Sequence, residues 1–424
     1  MYAEVAIAFI FACITSYILV PRFIKVAHKV GAIDVPKDNR RMHKRPIPKF
    51  GGPAVICGFL VASIYLFIVA TIKKQINLFG DEQYGFKLIG FLLGMIVLIF
   101  FNYRDDVKGI KPLTKLLGQI IAAGLVVAFG TRIDIIDVPI FHNNYVLSDI
   151  LSVILTMGWI IGITNAINLI DGLDGLSAGT TIISCLSLLV IFSLNNSPFI
   201  AIIMITALAG SLCGFIPYNM YPAKTFMGDI GTNFMGFAIS VISILGTAKT
   251  STLVVVVLPL LILGLPVLDT LFAIIRRLVT GKSVKAILKG DKKHLHHRLV
   301  DLGLSQVQTV LTMYSMSTCC GIFAIILYLQ GMQNALIFAA VAILLFIVFL
   351  ARVKRNNNLI DEDDDDEEVK RKNEEEEKYL NSRKNVNKNK GKKNKEEKES
   401  KEKNNKEKKE KKEEKTKEKV KNKK

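Results

Sequence analysis

The stretch NAINLIDGLDGL, residues 165–176, sets Asn165, Asn168, Asp171 and Asp174 between two long apolar runs. The runs before and after it, near 150–169 and 176–194, each have about the length a helix needs to cross a bilayer, roughly 20 residues. Carboxylates are costly inside lipid and mark function where they occur, so this stretch belongs where a helix leaves the membrane. Nine further runs follow the same pattern, near 4–24, 52–72, 86–103, 115–131, 198–217, 231–247, 252–275, 310–329 and 334–352. Half of the 424 residues are hydrophobic, and the mean hydropathy of +0.36 exceeds that of ordinary soluble domains. The expected fold is an all-α polytopic integral membrane protein, with about eleven transmembrane helices in a membrane domain at 1–352. The first run is read as a retained helix, because its basic residues, Arg22, Lys25 and Lys29, follow the apolar stretch rather than precede it.

Basic residues sort the loops into two sides. One set of alternate loops holds 22 Lys/Arg and the other holds 5. The rich side is expected in the cytoplasm, which places the N-terminus outside and the C-terminus inside. The net charge of +18 is no sign of nucleic-acid binding, since residues from Arg352 onward alone carry 28 Lys/Arg and 21 Asp/Glu. The six cysteines all lie in apolar runs, with no metal-binding pair and no disulfide framework.

Four polar clusters fall on the basic side. Asp105 and Asp106 close the third run; a solvated helix end paired with Arg104 and Lys108 is the plain alternative to chemistry there. Asn168, Asp171 and Asp174, three apart, would form a slanted row on one face of a helix that Gly172 and Gly175 loosen. A helix cap explains one of these aspartates but not two. Asp229, in FMGDIG, suits a helix N-cap or a metal ion, and Phe226 offers a flat apolar face to a base. His294, His296 and His297 stand among Lys292, Lys293 and Arg298, with no cysteine or fourth histidine at metal-ligand spacing, which favours phosphate over a metal. The GKS at 281–283 is no phosphate-binding loop, because Arg276 occupies the place of its first glycine. Carboxylates without thiols suit Mg²⁺ bridging to phosphates, and histidine and arginine suit phosphate oxygens. Together these indicate phosphoryl transfer between a cytoplasmic nucleotide and a lipid in the bilayer. A carboxylate-dependent transporter is the rival class, but it would place ionisable groups near the membrane midplane.

MHKRPIPKFGG (42–52), Asp105–Asp106 with KLLGQ (115–119), NAINLIDGLDGLSAG (165–179), YNMYPAKTFMGDIGT (218–232) and DKKHLHHRLVDLGLS (291–305) together resemble the polyprenyl-phosphate N-acetylhexosamine-1-phosphate transferases. HLHHRL and HKRPIPKFGG are similar to the UDP-GlcNAc:undecaprenyl-phosphate branch, which begins wall teichoic acid or other surface glycans, rather than to phospho-MurNAc-pentapeptide translocase, the runner-up. The resemblance implies transfer of GlcNAc-1-phosphate from UDP-GlcNAc to undecaprenyl phosphate with release of UMP. It implies a bacterial plasma-membrane enzyme with a cytoplasmic active site and Mg²⁺, or Mn²⁺ in its place, and it leaves a homodimer open. It casts Asp105, Asp106, Asp229 and His294 as catalytic, with Asp229, Asp105, Asp106 and Asp171 around the metal. Lys115, Asn168, Asp171, Asp174, Asn219, Phe226, Arg277, His296 and His297 would contact substrates. Residues 353–424 are rich in Lys and Glu and poor in apolar residues, so a disordered cytoplasmic tail is expected, with contact between its Lys-rich end and anionic lipid as a further option.

Overall fold

Inside a bilayer a chain must satisfy its backbone polar groups within itself, which long apolar runs do as helices. The computed structural model describes residues 2–36, 45–72, 82–138, 143–247, 257–281 and 294–355. The tail expectation, the GKS stretch beyond Gly281 and the first residues of the 252–275 run lie outside them. Residues Met1–Leu350 separate as one unit from Ala351–Lys424.

The long helices are α1 (Tyr2–Val30), α2 (Gly52–Ile72), α3 (Glu82–Lys108), α4 (Pro112–Ala128), α5 (Asp149–Leu169), α6 (Leu176–Leu194), α7 (Phe199–Asn219) and α8 (Gly228–Thr247). Then come α9 (Leu258–Ile262), α10 (Gly264–Gly281), the short α11 (Leu295–Asp301), α12 (Gln306–Gln330) and α13 (Met332–Arg355). Among the described residues, nine of these helices are long and apolar enough to cross a membrane. The chain is therefore an all-α polytopic membrane protein. The α4 helix falls just short at 17 residues, and the 252–275 run is not one helix. It breaks at Leu263 into α9 and α10, next to Pro259 and Pro266, which cannot donate the backbone bonds a continuous helix needs.

Helices α7 and α8 form the centre. Their most apolar stretches are 83% and 89% buried in protein. Small residues let them be enclosed. A Cβ at Gly210 or Gly214 of α7 would run into the α1 backbone carbonyls of Phe9 and Cys13, so the GSLCG spacing brings α1 and α7 into backbone contact. Phe59, Phe91, Phe234 and Phe237 fill the space between α2, α3 and α8, with Phe91 and Phe237 stacked at 5.4 Å. Buried Ser and Thr hydroxyls return to their own helices, as Thr180 does to the Leu176 carbonyl.

Two small hairpins join the helices. Strands β1 (Ile33–Asp34) and β2 (Ile47–Pro48) pair antiparallel, with Ile33 opposite Pro48. Strands β3 (Ile135–Val138) and β4 (Asn143–Val146) pair between α4 and α5. The first hairpin has a positioning task. From it, Pro48 accepts a bond from Phe226 N, while Gly51 N and Gly52 N donate to the Phe226 and Met227 carbonyls at 3.0 and 2.9 Å. This strap fastens the entrance of α8.

Candidate active site

The C-termini of α3, α5 and α7 and the N-termini of α8 and α12 contribute to a cavity of about 380 Å³ lined by Asp34, Lys49, Asp106, Asn168, Asp171, Gly172, Leu173, Asp174, Asn219, Phe226, Gly228, Asp229, Thr232 and Gln306, and the first turn of α4 brings Lys115 against Asn168 and Asp229.

Asp106 is the best buried of the carboxylates. Its side chain is closed to solvent, and its two oxygens accept the backbone N–H groups of Asp229 (2.9 Å) and Ile230 (3.0 Å). An aspartate of α3 thus caps the first turn of α8, the role the sequence allowed for Asp229 itself. Lys49 Nζ stands 3.6 Å away as its counter-charge. Gly228 makes this possible. It has φ +74°, and a Cβ there would strike the Lys49 carbonyl and crowd the Asp106 carboxylate. The solvated pairing of Asp105 and Asp106 with Arg104 and Lys108 is not what forms. Asp105 accepts Ile110 N at 3.0 Å and faces Lys115 Nζ at 3.4 Å.

Lys115 is the internal cation of the site. Its ammonium contacts Asp229 Oδ1 and lies 3.3 Å from Asn168 Oδ1. Asn168 donates to Asp229 Oδ1 at 3.0 Å and to Thr232 Oγ1 at 2.7 Å. Asp229 is the most open member of this group, with its side chain 27% exposed against 15% for Asp105 and 17% for Lys115. Of the two carboxylates that flank Lys115, it is the one that lines the cavity.

Asn168, Asp171 and Asp174 do converge on the cavity, but not as a helical row. Helix α5 stops at Leu169, and residues 171–175 form a loop that ends in left-handed Gly175 at φ +80°. Gly172 N turns back to the Ile170 carbonyl at 2.8 Å, which gives up the helical pattern. Asp171 binds the Ser177 hydroxyl, and Asp174 accepts Ala223 N at 2.9 Å, which ties the loop to the segment after α7. Burial raises the Asp171 carboxyl to about 6; the Ser177 hydrogen bond opposes the shift, and the charges of Asp229 and Asp174 add to it. Asn219 donates to the Thr225 carbonyl at 3.1 Å, while its Oδ1 is buried without a partner on the cavity wall. Phe226 lines the same wall.

The histidines form a separate group behind the loop. His294 Nδ1 lies 2.7 Å from Asp269 Oδ2, and Leu295 N donates to Asp269 Oδ1 at 2.8 Å, so an α10 carboxylate both orients His294 and caps α11. His294 and His296 stack at 5.9 Å and 5°, and His297 tilts against His296 at 4.3 Å. His296 is 1% exposed, and neither ring nitrogen has a partner. Burial drives it down to about 3, helped by His297. Its ring fills the space that a Cβ of Gly172 would take. None of the three histidines lines the cavity, and neither does Arg277, which stands on α10.

Sequence reasoning missed Lys49, Asp269 and Ser177. Asp269 carried a signal, being the one carboxylate in the 252–275 run; Lys49 lay inside a quoted motif with no chemistry assigned to it. Among the described residues, no three His, Cys, Asp or Glu side chains are grouped to hold a metal ion. The carboxylates expected around a metal are each engaged within the protein: Asp106 accepts the α8 backbone, Asp171 binds Ser177, and Asp229 and Asp105 flank Lys115. The site still fits Mg²⁺ in donor chemistry. Carboxylate and amide oxygens already gather around the ammonium of Lys115, and Mg²⁺ needs only one or two carboxylates besides water and phosphate.

Residues 88–247 match the model of glycosyl transferase family 4. A Bacillus subtilis relative, a probable undecaprenyl-phosphate N-acetylglucosaminyl 1-phosphate transferase, is 36% identical over 76% of this chain and 85% of its own. The chain belongs to glycosyl transferase family 4. This transferase is also 31% identical to decaprenyl-phosphate N-acetylglucosaminephosphotransferase of Mycobacterium leprae, over 73% of this chain and 80% of that protein. It is 32% identical to phospho-N-acetylmuramoyl-pentapeptide-transferase of Staphylococcus epidermidis, over 71% of this chain and 92% of that protein.

Proposed function

We propose that this transferase moves GlcNAc-1-phosphate from UDP-GlcNAc to undecaprenyl phosphate, the first membrane step of a cell-envelope glycan. The observation that carries this reading is the make-up of the cavity. One wall is acidic around a fixed cation, and the other presents Phe226 and the unpartnered Asn219 Oδ1. A pyrimidine ring can lie on Phe226 and donate an N–H to Asn219, leaving its diphosphate toward Lys49 and Lys115. The names of the B. subtilis and M. leprae relatives support GlcNAc as the sugar, and the pentapeptide transferases match over slightly less of the chain. A transporter reading has less support, because the carboxylates of the site sit at helix ends and Asp269 is engaged with His294.

In the reaction an oxygen of the lipid phosphate attacks the β-phosphorus of UDP-GlcNAc. The bond from that phosphorus to the bridging oxygen breaks, UMP leaves, and undecaprenyl-diphosphate-GlcNAc forms. Asp229 with Asp105 would hold Mg²⁺, which when bound neutralises the diphosphate charge. Lys115 holds Asp229 and Asp105 in place and supplies positive charge to the transferring phosphate. Asp106 keeps the α8 end aimed at it. His296 closes the loop face of the site, and the His294–Asp269 pair holds that face in shape. Support for a cytoplasmic cavity comes from the loops: the alternate set that holds 22 Lys/Arg against 5 is the set at whose helix ends Asp106, Asn168, Asn219 and Asp229 stand. The enzyme is then a multi-pass protein of the bacterial plasma membrane.

The test uses membranes or purified protein with undecaprenyl phosphate and either UDP-GlcNAc or UDP-MurNAc-pentapeptide, with Mg²⁺ or with EDTA. UMP should appear with UDP-GlcNAc and Mg²⁺ and disappear with EDTA. No UMP from UDP-GlcNAc would refute the reading, and UMP from the pentapeptide substrate alone would replace it.

A further inference from the structure

Beneath the ionic site lies a second polar layer, deeper in the bundle. Gln119 follows Lys115 by four residues on α4, Asn233 follows Asp229 by four on α8, and Asn165 precedes Asn168 by three on the oppositely running α5. Each is therefore one helical turn below its partner in the upper layer. Gln119 Nε2 donates to Asn233 Oδ1 at 2.8 Å and to Asn165 Oδ1 at 3.3 Å, and Asn165 Nδ2 donates back to Gln119 Oε1 at 2.7 Å. Asn233 Nδ2 donates to the carbonyl of Asp229 itself at 2.9 Å. Gln119 is 3% exposed and Asn233 fully buried. The three helices that bring Lys115, Asn168 and Asp229 together are thus joined again, amide to amide, one turn down. Gly236 sits against the Thr164 backbone and lets α5 and α8 come this close.

We propose that Gln119, Asn165 and Asn233 form an amide clasp that fixes the spacing of α4, α5 and α8, and so holds Lys115, Asn168 and Asp229 in register. They are positioning residues, out of the cavity, and the inference rests on the transferase reading above. The amide chemistry suits the task. Gln119 spends both N–H donors and its oxygen on the other two helices, so the contact specifies one register, where apolar side chains would tolerate sliding. Substrate contacts are not needed for this role.

The test is a set of variants of the full-length protein, read by UMP release and by thermal unfolding in detergent. Gln119→Leu should lower kcat at least tenfold while changing KM for UDP-GlcNAc less than threefold. The triple variant Gln119→Leu, Asn165→Leu, Asn233→Leu leaves no orphaned amide; it should unfold within a few degrees of the parent yet keep the low kcat. Exchanging the long and short amides, Gln119→Asn with Asn233→Gln, should recover kcat at least threefold over either single change. A folded triple variant with parental kcat would overturn the proposal. If that variant does not fold, failure of the exchanged pair to improve on its single changes would overturn it as well. A readout without substrate separates the clasp from the function. Lys115→Met and Asp229→Asn should be non-additive in thermal midpoint in the parent and additive in the Gln119→Leu background; coupling that persists there refutes the clasp. Absence of UMP from the unaltered protein would instead refute the transferase reading.

Discussion

Helices α8 and α13 are opposites. Among the candidate spans, α13 is the most hydrophobic and α8 the least. Yet the most apolar stretch of α8 is 89% buried in protein, while that of α13 is not buried at all. In a water-soluble protein the order would be reversed. In a bilayer, lipid solvates leucine as well as a protein interior does, so helix association depends on close packing and on polar contacts. Hydropathy alone therefore does not sort these helices: α8, the least apolar, is held inside by the polar contacts of Asp229, Thr232 and Asn233, and α7, among the most apolar, by the close approach that Gly210 and Gly214 allow.

The contrast can be broken at several points. The largest effect should come from Asp229→Asn, which keeps the shape of the α8 entrance but removes the charge; UMP release should fall on the order of 100-fold or more. Next, Gly214→Leu on α7 would force side-chain atoms into the Cys13 carbonyl of α1. Destabilisation of about 3 kcal/mol or loss of folded protein is expected, measured by thermal unfolding in detergent. A smaller effect concerns pH. His296 in the folded protein has been lowered to about 3, below the ordinary imidazole value near 6.5, so the unfolded chain binds the extra proton first. Its contribution to stability is complete above pH ~6.5 and declines as pH falls from there toward 3. The unfolding midpoint should drop between pH 6.5 and 5, and His296→Phe should flatten that slope. The smallest effect belongs to α13. Ala340→Leu adds the same kind of bulk as Gly214→Leu, on an exposed position, and should shift stability by less than ~0.5 kcal/mol. A large effect there would mean that α13 has a protein partner.

Much of this architecture could be read from the residues. Apolar runs of spanning length locate the helices, and the clusters at Asp105–Asp106, Asn168–Asp174 and Asp229 converge on one cavity. What could not be read was which backbone groups would claim each carboxylate. Asp105 and Asp106 look equivalent in sequence, but only Asp106 meets the open N–H groups of α8, more than a hundred residues away. The three-residue spacing of Asn168, Asp171 and Asp174 suggested a helix; two glycines and the Asp171–Ser177 bond make a loop instead. The break at Leu263 was hidden because α9 and α10 are both apolar, so the run shows no gap where the helix stops. Arg277 and the histidines are not among the residues that line the cavity, a distinction that needs three dimensions.

The cap that Asp106 places on α8 has a mechanical consequence. A helix whose first turn is closed by a residue of its own can tilt alone, whereas one closed by its neighbour must carry that neighbour along. With the Pro48–Gly52 strap added on the other side, the entrance of α8 is laced to α2 and α3. The half of the cavity that bears Asp229 therefore behaves as a fixed jaw. Any displacement of the α8 entrance would have to break the Asp106 cap and the Pro48–Gly52 strap together.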